Sequence, residues 1–243
     1  MKNVVLCYNL YSPRPSEDRK NRVLSVIEKI SPDIMGLQEI TPTWKQILDE
    51  NVCDKYAFVG DPREEGRDCE YAPVLYKKEK YECMGYKTYW LSETPEEKSR
   101  FEDSKYYRIC TVAKLKAKAD GAELLFVCLH MDYVHSAAGK QMDALLKILE
   151  NYEDISTVIC GDFNCGENSP PYAVIEASKY KNAKTVARIC ADAPTFTKFG
   201  ERYETIDFVF THKVNVESFI VCEIKVGGEY PSDHNPVICE VEF

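Results

Sequence analysis

Thr157-Val158-Ile159-Cys160-Gly161-Asp162-Phe163-Asn164 is a short apolar run closed by an acid and an amide. Such a run, rich in β-branched residues and too short for a helix, reads as a buried strand. Thr157 to Gly161 is therefore predicted to cross a core and deliver Asp162 and Asn164 at its end; if the segment stays extended, two residues apart, both side chains point into the same space. The pattern recurs. Val4 to Tyr8 leads to Asn9, Asp33 to Glu39 ends on an acid, Ile206 to Phe210 carries Asp207, and Asp233-His234 precedes the run Val237 to Phe243. Strand ends converge, so polar residues collected there can share one pocket.

Helical spacing separates several of these runs. Val23, Val26, Ile27 and Ile30 fall on one face of a helix from Arg19 to Ile30 that Ser31-Pro32 stops, and Thr41-Pro42 is an N-cap and first-turn pair for a helix carrying Trp44, Ile47 and Leu48. Met142, Leu145, Leu146 and Leu149 repeat the spacing. From Tyr56 to Leu91, short runs such as Ala72 to Tyr76 and Tyr86 to Leu91 predict consecutive antiparallel strands. Residues 92 to 107 read as a charged loop. Ala113, Leu115 and Ala117 alternate with lysines, and Asp120-Gly121 turns that strand into Leu124 to Leu129 as a hairpin. Val214 to Val226 reads as a further strand region. Antiparallel runs mixed with crossover helices point to an α/β sandwich rather than a purely parallel sheet.

A chain of 243 residues with 40 acidic and 31 basic residues carries a formal charge of −9, which weighs against tight, sequence-independent binding to duplex DNA. The lysine clusters Lys77, Lys78 and Lys80, and Lys179, Lys181, Lys184 with Arg188, read as solvated faces. The 11 cysteines are odd in number, lack a Cys-x-x-Cys pair and mostly sit in apolar runs, so they are expected to be reduced core thiols in a cytoplasmic setting. No signal peptide and no membrane-length apolar span is read. Acids and amides at strand ends are hard oxygen donors, suited to Mg2+ or Mn2+; zinc would want more His or Cys.

Gln38-Glu39, His130 followed by Asp132, Gly161-Asp162-Phe163-Asn164, Ile206-Asp207-Phe208-Val209 and Ser232-Asp233-His234 occur in that order. Together they resemble the endonuclease/exonuclease/phosphatase superfamily, and Trp90-Leu91-Ser92-Glu93-Thr94-Pro95 with Arg108 is similar to a small bacterial branch of metal-dependent hydrolases within it. The likeness covers Asn9 to Phe243. It implies one catalytic domain over residues 1–243 with a DNase I-like, four-layered α/β sandwich: two packed, mostly antiparallel mixed sheets flanked by helices, with the active site where strand-end loops gather.

The resemblance further implies Glu39 as principal metal ligand, Asn9 supporting it or a metal-bound water, and Asp233 facing the metal. Asp162 would position or deprotonate an attacking water, Asn164 would orient phosphate, and Asp207 would pair with His234. Either Asp162 or His234 fits the general base. His130 and Arg108 would form a cationic pair for non-bridging phosphate oxygens. His135 reads as a surface residue and His212 as a turn residue, while Glu70-Tyr71, after the Arg67-Asp68 loop, falls at the substrate rim by family analogy. His130 stands where abasic-site repair enzymes typically carry Asn, which points away from DNA repair. Two departures are expected to touch the substrate rim. Val112 stands where relatives often have Trp, and the segment from Pro95 to Tyr107 looks shortened.

The reading is a divalent-metal-dependent hydrolase, with in-line attack of an activated water on a small phosphodiester or phosphomonoester. The alternative is an endo- or exonuclease acting on DNA or RNA, which calls for a basic groove. A non-catalytic binding module on the same fold comes third, since each expected catalytic position holds a competent residue. A monomer is the default.

Overall fold

The computed structural model describes residues 2–66 and 69–243, so the Arg67-Asp68 loop lies outside the described residues. In chain order the elements are β1 (Asn3–Asn9), α1 (Glu17–Ile30), β2 (Ile34–Gln38), α2 (Pro42–Asn51), β3 (Tyr56–Val59), β4 (Val74–Lys77), β5 (Tyr81–Trp90), β6 (Ile109–Ala117), β7 (Glu123–His130), α3 (His135–Leu149), β8 (Ser156–Asp162), α4 (Pro170–Glu176), β9 (Lys181–Asn182), α5 (Ala183–Val186), β10 (Ile189–Ala191), β11 (Asp207–His212), β12 (Asn215–Val221) and β13 (Val237–Glu242).

Alternation along the strands sorts the side chains into layers. Val5 and Cys7 of β1 join Phe126 and Cys128 of β7 and Val158 and Cys160 of β8 in one buried cluster between two sheets. The intervening Leu6 and Tyr8 face the other way, against Val23, Val26, Trp44 and Leu48 of α1 and α2. On the far side Leu125, Val127 and Ile159 pack under Met142, Leu145 and Ile148 of α3 and Tyr172 and Ile175 of α4. The result is helices, sheet, sheet, helices. The first sheet runs β10-β12-β13-β1-β2-β4-β3 and the second β5-β6-β7-β8-β11-β9. Parallel pairs are β1 with β2, β7 with β8 and β10 with β12, set among antiparallel neighbours.

Local chemistry fixes the helix ends. Ser16 caps α1 by accepting from the Arg19 N–H, and Ser31 closes it in a left-handed conformation (φ 47°). Thr41 caps α2 with Pro42 in its first turn.

Several expectations change. Tyr56 to Leu91 is not one antiparallel run: β3 and β4 pair in the first sheet, whereas β5 pairs with β6 at the edge of the second. Pairing partners are chosen by tertiary packing, which alternation cannot reveal. Strand β12 stops at Val221, and Ile224 and Val226 instead pack against the α1 and α2 layer before a Gly227-Gly228 turn at positive φ. Val112 lies in the cluster beneath α3 and α4 rather than at a substrate rim, because its strand parity turns it away from the inter-sheet core. No helix among the described residues is long and apolar enough to cross a membrane.

The two sheets approach closely at Gly36. A Cβ there would lie 2.4 Å from the Cys160 sulfur and 3.0 Å from that of Cys128. Gly36→Ala is expected to lower the urea midpoint by the equivalent of ~1–3 kcal/mol, as overpacking does, and to cost less in a Cys160→Ala background, because a side chain is the obstacle. Gly161→Ala should show no such relief from shortening its neighbours, since its Cβ would meet the Leu129 carbonyl oxygen at 2.2 Å. Equal costs for Gly36→Ala in both backgrounds would contradict this packing.

Candidate active site

The topology brings one end of the central strands together. Asn9 and Gln38 are register partners at the ends of parallel β1 and β2, as are His130 and Asp162 at the ends of β7 and β8. Antiparallel β11 begins with Asp207 opposite Asp162, and β6 begins with Ile109, just after Arg108, opposite His130. Of these, Arg108, His130 and Asp162 line an open cavity of about 1250 Å3, together with Glu39, Asn164, Asp233 and His234.

Asp162 is the focus. Its Oδ1 accepts the Asn164 N–H at 2.8 Å, a turn in which Asn164 takes φ 50°. The expected convergence of the two side chains is therefore produced by a left-handed turn and not by extended backbone. Asp162 Oδ2 accepts from Asn9 Nδ2 at 3.0 Å and lies 3.6 Å from His130 Nε2 and 3.7 Å from His234 Nε2. Burial and the facing Asp207 push its carboxyl up to about 7.

His234 shares a 2.8 Å hydrogen bond through Nδ1 with Asp207 Oδ2 and packs on the Phe196 ring at 4.9 Å. Burial opposes its charge, but Asp207, Asp162 and Asp233 outweigh that and raise it to about 10. Buried Thr195 steadies Asp207 by accepting its N–H and that of Ile206, both at 3.0 Å. Ser232 donates to the Asn9 carbonyl at 2.7 Å and accepts the His234 N–H, tying the Asp233-His234 turn to β1.

Glu39 occupies φ 61°, an uncommon conformation for a residue with a Cβ. The Ser12 N–H and Asn9 Nδ2 hold its two oxygens at 2.7 and 3.2 Å. Asn9 thus bridges Glu39 and Asp162, while its Oδ1 accepts the Tyr11 N–H at 3.0 Å. Burial and nearby Glu39 raise Asp233 to about 6. Ligand atoms of Asp162, Asp207 and His234 all lie within 4.8 Å of one another; with the His234–Asp207 bond already made, this group reads as a carboxylate-histidine pair beside a further acid.

The opposite wall is cationic. Arg108 is buried, and among the described residues no carboxylate lies within 4 Å of its guanidinium. His130 departs from its expected charge: burial, then Arg108, Arg63 and His234, drive it well below the usual histidine range, so it is neutral at neutral pH. Its Nε2 pairs with Asn164 Nδ2 at 3.0 Å. Exposed His135 sits at the cavity mouth, whereas His212 ends β11 beside Asp154 at 2.7 Å. Glu70 lines the cavity, but Tyr71 packs on Phe58 in the α2 layer.

Sequence reasoning missed Arg63, which lines the cavity from the β3–β4 connection, and the organising role of Asp132. Asp132 is fully buried and accepts from Ser104 Oγ and the Tyr106 N–H at 2.9 and 3.0 Å, which fixes Tyr106 at the rim. The signal for Arg63 is indirect: Trp90, singled out in the sequence, donates its indole N–H to the Arg63 carbonyl at 2.9 Å.

Known proteins share this fold. A Bacteroides vulgatus protein described as an endonuclease/exonuclease/phosphatase superposes with a TM-score of 0.91 at 30% identity, over 100% of this chain and 99% of that one. The Bacteroides thetaiotaomicron mannosyl-6-phosphatase Bt3783 superposes with a TM-score of 0.88 at 24% identity, over 99% and 100% of the two chains. Drosophila melanogaster Nocturnin is 23% identical over 93% of this chain. The chain spans 42% of that protein's length, and 65% and 58% of the Xenopus laevis and human Nocturnins. The family model described as Endonuclease/Exonuclease/phosphatase family matches residues 6–234, from the first strand to the histidine paired with Asp207, and the chain belongs to that family of phosphoester hydrolases.

Proposed function

We propose that the whole of residues 1–243 is one catalytic domain that hydrolyses small phosphomonoesters or phosphodiesters with the help of Mg2+ or Mn2+. The observation that carries this reading is the convergence of Asn9, His130 and His234 on the Asp162 Oδ2 oxygen, with Asp162 and both histidines lining one open cavity. The donor set fits a hard divalent ion: Glu39, Asp162 and Asp233 are oxygen donors, and burial first, then Asp207 beside Asp162 and Glu39 beside Asp233, holds protons on two of these acids above the ordinary carboxylate range. Glu39 and Asp233 would hold the ion, with Asn9 supporting Glu39. When bound, the ion would offset phosphoryl charge and make water a better nucleophile.

The chain's own groups do the rest. Asp162 Oδ2 takes the proton of the attacking water, with its other oxygen fixed by the Asn164 N–H. Asp207 holds His234 in one orientation, leaving Nε2 to donate to a phosphoryl oxygen or the departing one. Arg108 supplies a planar fork of donors for the non-bridging oxygens. The Asn164 amide nitrogen is committed to His130 and the Met131 carbonyl, so its Oδ1, an acceptor, is what remains to steady the attacking water or a protonated phosphoryl oxygen.

Charge favours small substrates over nucleic acid. Besides the net −9, Lys77 and Lys80 pair with Asp33, Lys179 with Asp154, Lys184 with Glu167 and Asp192, and Arg188 with Glu217. The two lysine clusters, read from sequence as solvated faces, are largely neutralised. Seven of the 11 cysteines are buried as small apolar side chains, in keeping with the proposed cytoplasmic setting.

A panel of phosphosugars, phospholipid head groups, nucleotides and oligonucleotides should show turnover with Mg2+ or Mn2+ that chelator abolishes. Asp162→Asn should lower kcat by ~10²–10⁴, the usual worth of a general base. Salt-sensitive cleavage of oligonucleotides as the best activity would overturn the small-substrate reading, and activity surviving Asp162→Asn would reject its catalytic centre.

Stability with chelator present should also depend on pH in a defined sense. Asp162 and Asp233, raised to about 7 and about 6 from 3.8, hold protons when folded that the unfolded chain has lost; His234, raised to about 10 from 6.5, does so above neutrality. The folded state therefore binds more protons, and these groups make stability fall as pH rises, from about 4 for the acids and from about 6.5 for the histidine. Asp162→Asn removes part of that fall, so in chelator the variant should gain Tm over wild type at pH 8 relative to pH 5. Added Mg2+ should raise wild-type Tm more at pH 8 than at pH 5. The reverse ordering in thermal melts would refute these raised proton affinities.

A further inference from the structure

One wall of the cavity takes no part in the chemistry above. Arg63 donates from Nη1 to Glu70 Oε2 at 2.7 Å, and the Arg63 N–H to the Glu70 carbonyl at 2.9 Å closes the same loop. Their side chains are only 9% and 16% exposed, yet both line the cavity. A desolvated ion pair is a poor stabiliser on its own, because removing two charges from water costs about what their attraction returns. The pair also keeps spare capacity: Arg63 Nε is buried without a hydrogen-bond partner, its nearest carboxylate being Glu64 Oε1 at 3.6 Å, and a carboxylate can accept several hydrogen bonds.

Arg63 and Arg108 both lie against the Tyr106 ring, at 5.1 and 5.0 Å, but their charges differ in availability. Glu70 offsets Arg63, while Arg108 has no comparable ion-pair partner among the described residues. Arg108 therefore suits an anion, and Arg63 with Glu70 suits a neutral group that donates and accepts side by side. Adjacent hydroxyls of a sugar ring do both. Tyr106 and Tyr133, 38% and 51% exposed and packed edge to face at 6.2 Å, add an aromatic rim that can cover the C–H face of such a ring.

We infer that the Arg63–Glu70 pair with the Tyr106–Tyr133 rim is a sugar-reading subsite, so that the substrate is a phosphorylated pyranose whose hydroxyls dock on this wall. The phosphate end of this assignment rests on the function proposed above; the wall is tested by binding alone.

Calorimetric titrations of the Asp162→Asn protein with Mg2+ would compare glucose, mannose and galactose 6-phosphates with 5′-AMP and inorganic phosphate. At least one hexose phosphate should bind about 10-fold more tightly than inorganic phosphate, the worth of one charge-assisted hydrogen bond. Glu70→Gln should erase most of that ratio. Tyr133→Ala, at an exposed position where folding is not at stake, should reduce it, and thermal melts would verify both variants. A ratio near one for all three sugars, tightest binding of 5′-AMP, or a ratio that neither variant changes would overturn the subsite. Wild-type protein that hydrolyses no phosphoester while the ratio persists would instead defeat the proposed function and leave the subsite standing.

Discussion

The Asn9 amide reaches Asp162 Oδ2 at 3.0 Å and Glu39 Oε1 at 3.2 Å, joining an acid from each sheet although Asn9 and Asp162 are 153 positions apart. That bridge is available only where the sheets lie close, and small side chains permit the approach. Gly36 faces Cys160 and Cys128, and Gln38 Nε2 settles on the Cys128 sulfur at 3.2 Å. The cysteines that sequence reads as small hydrophobes are thus the spacers of the inter-sheet core. Bulkier residues here would part β1 and β2 from β7 and β8, and no loop adjustment could restore an amide that must touch both acids.

Holding those acids together is electrostatically unfavourable, and the fold offsets the cost locally. Asp162 and Asp207 are opposite one another in an antiparallel pair, where like charges repel. Asp207 is given His234, and Asp162 is given Asn9 and the Asn164 N–H. Burial first, and then the repulsion that remains uncompensated, raises the proton affinity of Asp162 and Asp233. An acid floor that retains protons near neutrality is one in which a cation competes well, so the donor set and the electrostatics support the same reading.

The strand ends were legible because their signal is local. An apolar run that stops at Asn9, Glu39 or Asp162 declares both a buried strand and the place where it meets solvent, and the order of the motifs carries the sandwich. Other features depend on neighbours that sequence does not name. Pro62-Arg63-Glu64-Glu65 looks like any charged loop until the Trp90 indole and Glu70 fix Arg63 against the cavity. The sheet assignment of β4 and β5 rests on partners, not periodicity. Val112 resembled a rim substitution because the family supplies a Trp there, but strand parity turns it under α3. Thr195 and Ser232 work by single hydroxyls on backbone groups, a role that no composition or spacing marks.

The neutral state of His130 shows how burial divides labour between two histidines at the same acid. Both imidazoles lie under 4 Å from Asp162 Oδ2, yet one faces two guanidiniums and the other a carboxylate. Next to Arg108 and Arg63 a second positive charge would be repelled with little solvent to screen it, so His130 is left as a neutral ring. With its Nε2 accepting from Asn164 Nδ2, its proton belongs on Nδ1, and the Asn164 side chain is held by His130 and the Met131 carbonyl together. His130 then acts by positioning Asn164, while the wall's positive charge without an ion-pair partner among the described residues is that of Arg108. A cavity arranged in this way presents one planar cation to an anion on one side and a protonated His234, tethered to Asp207, on the other.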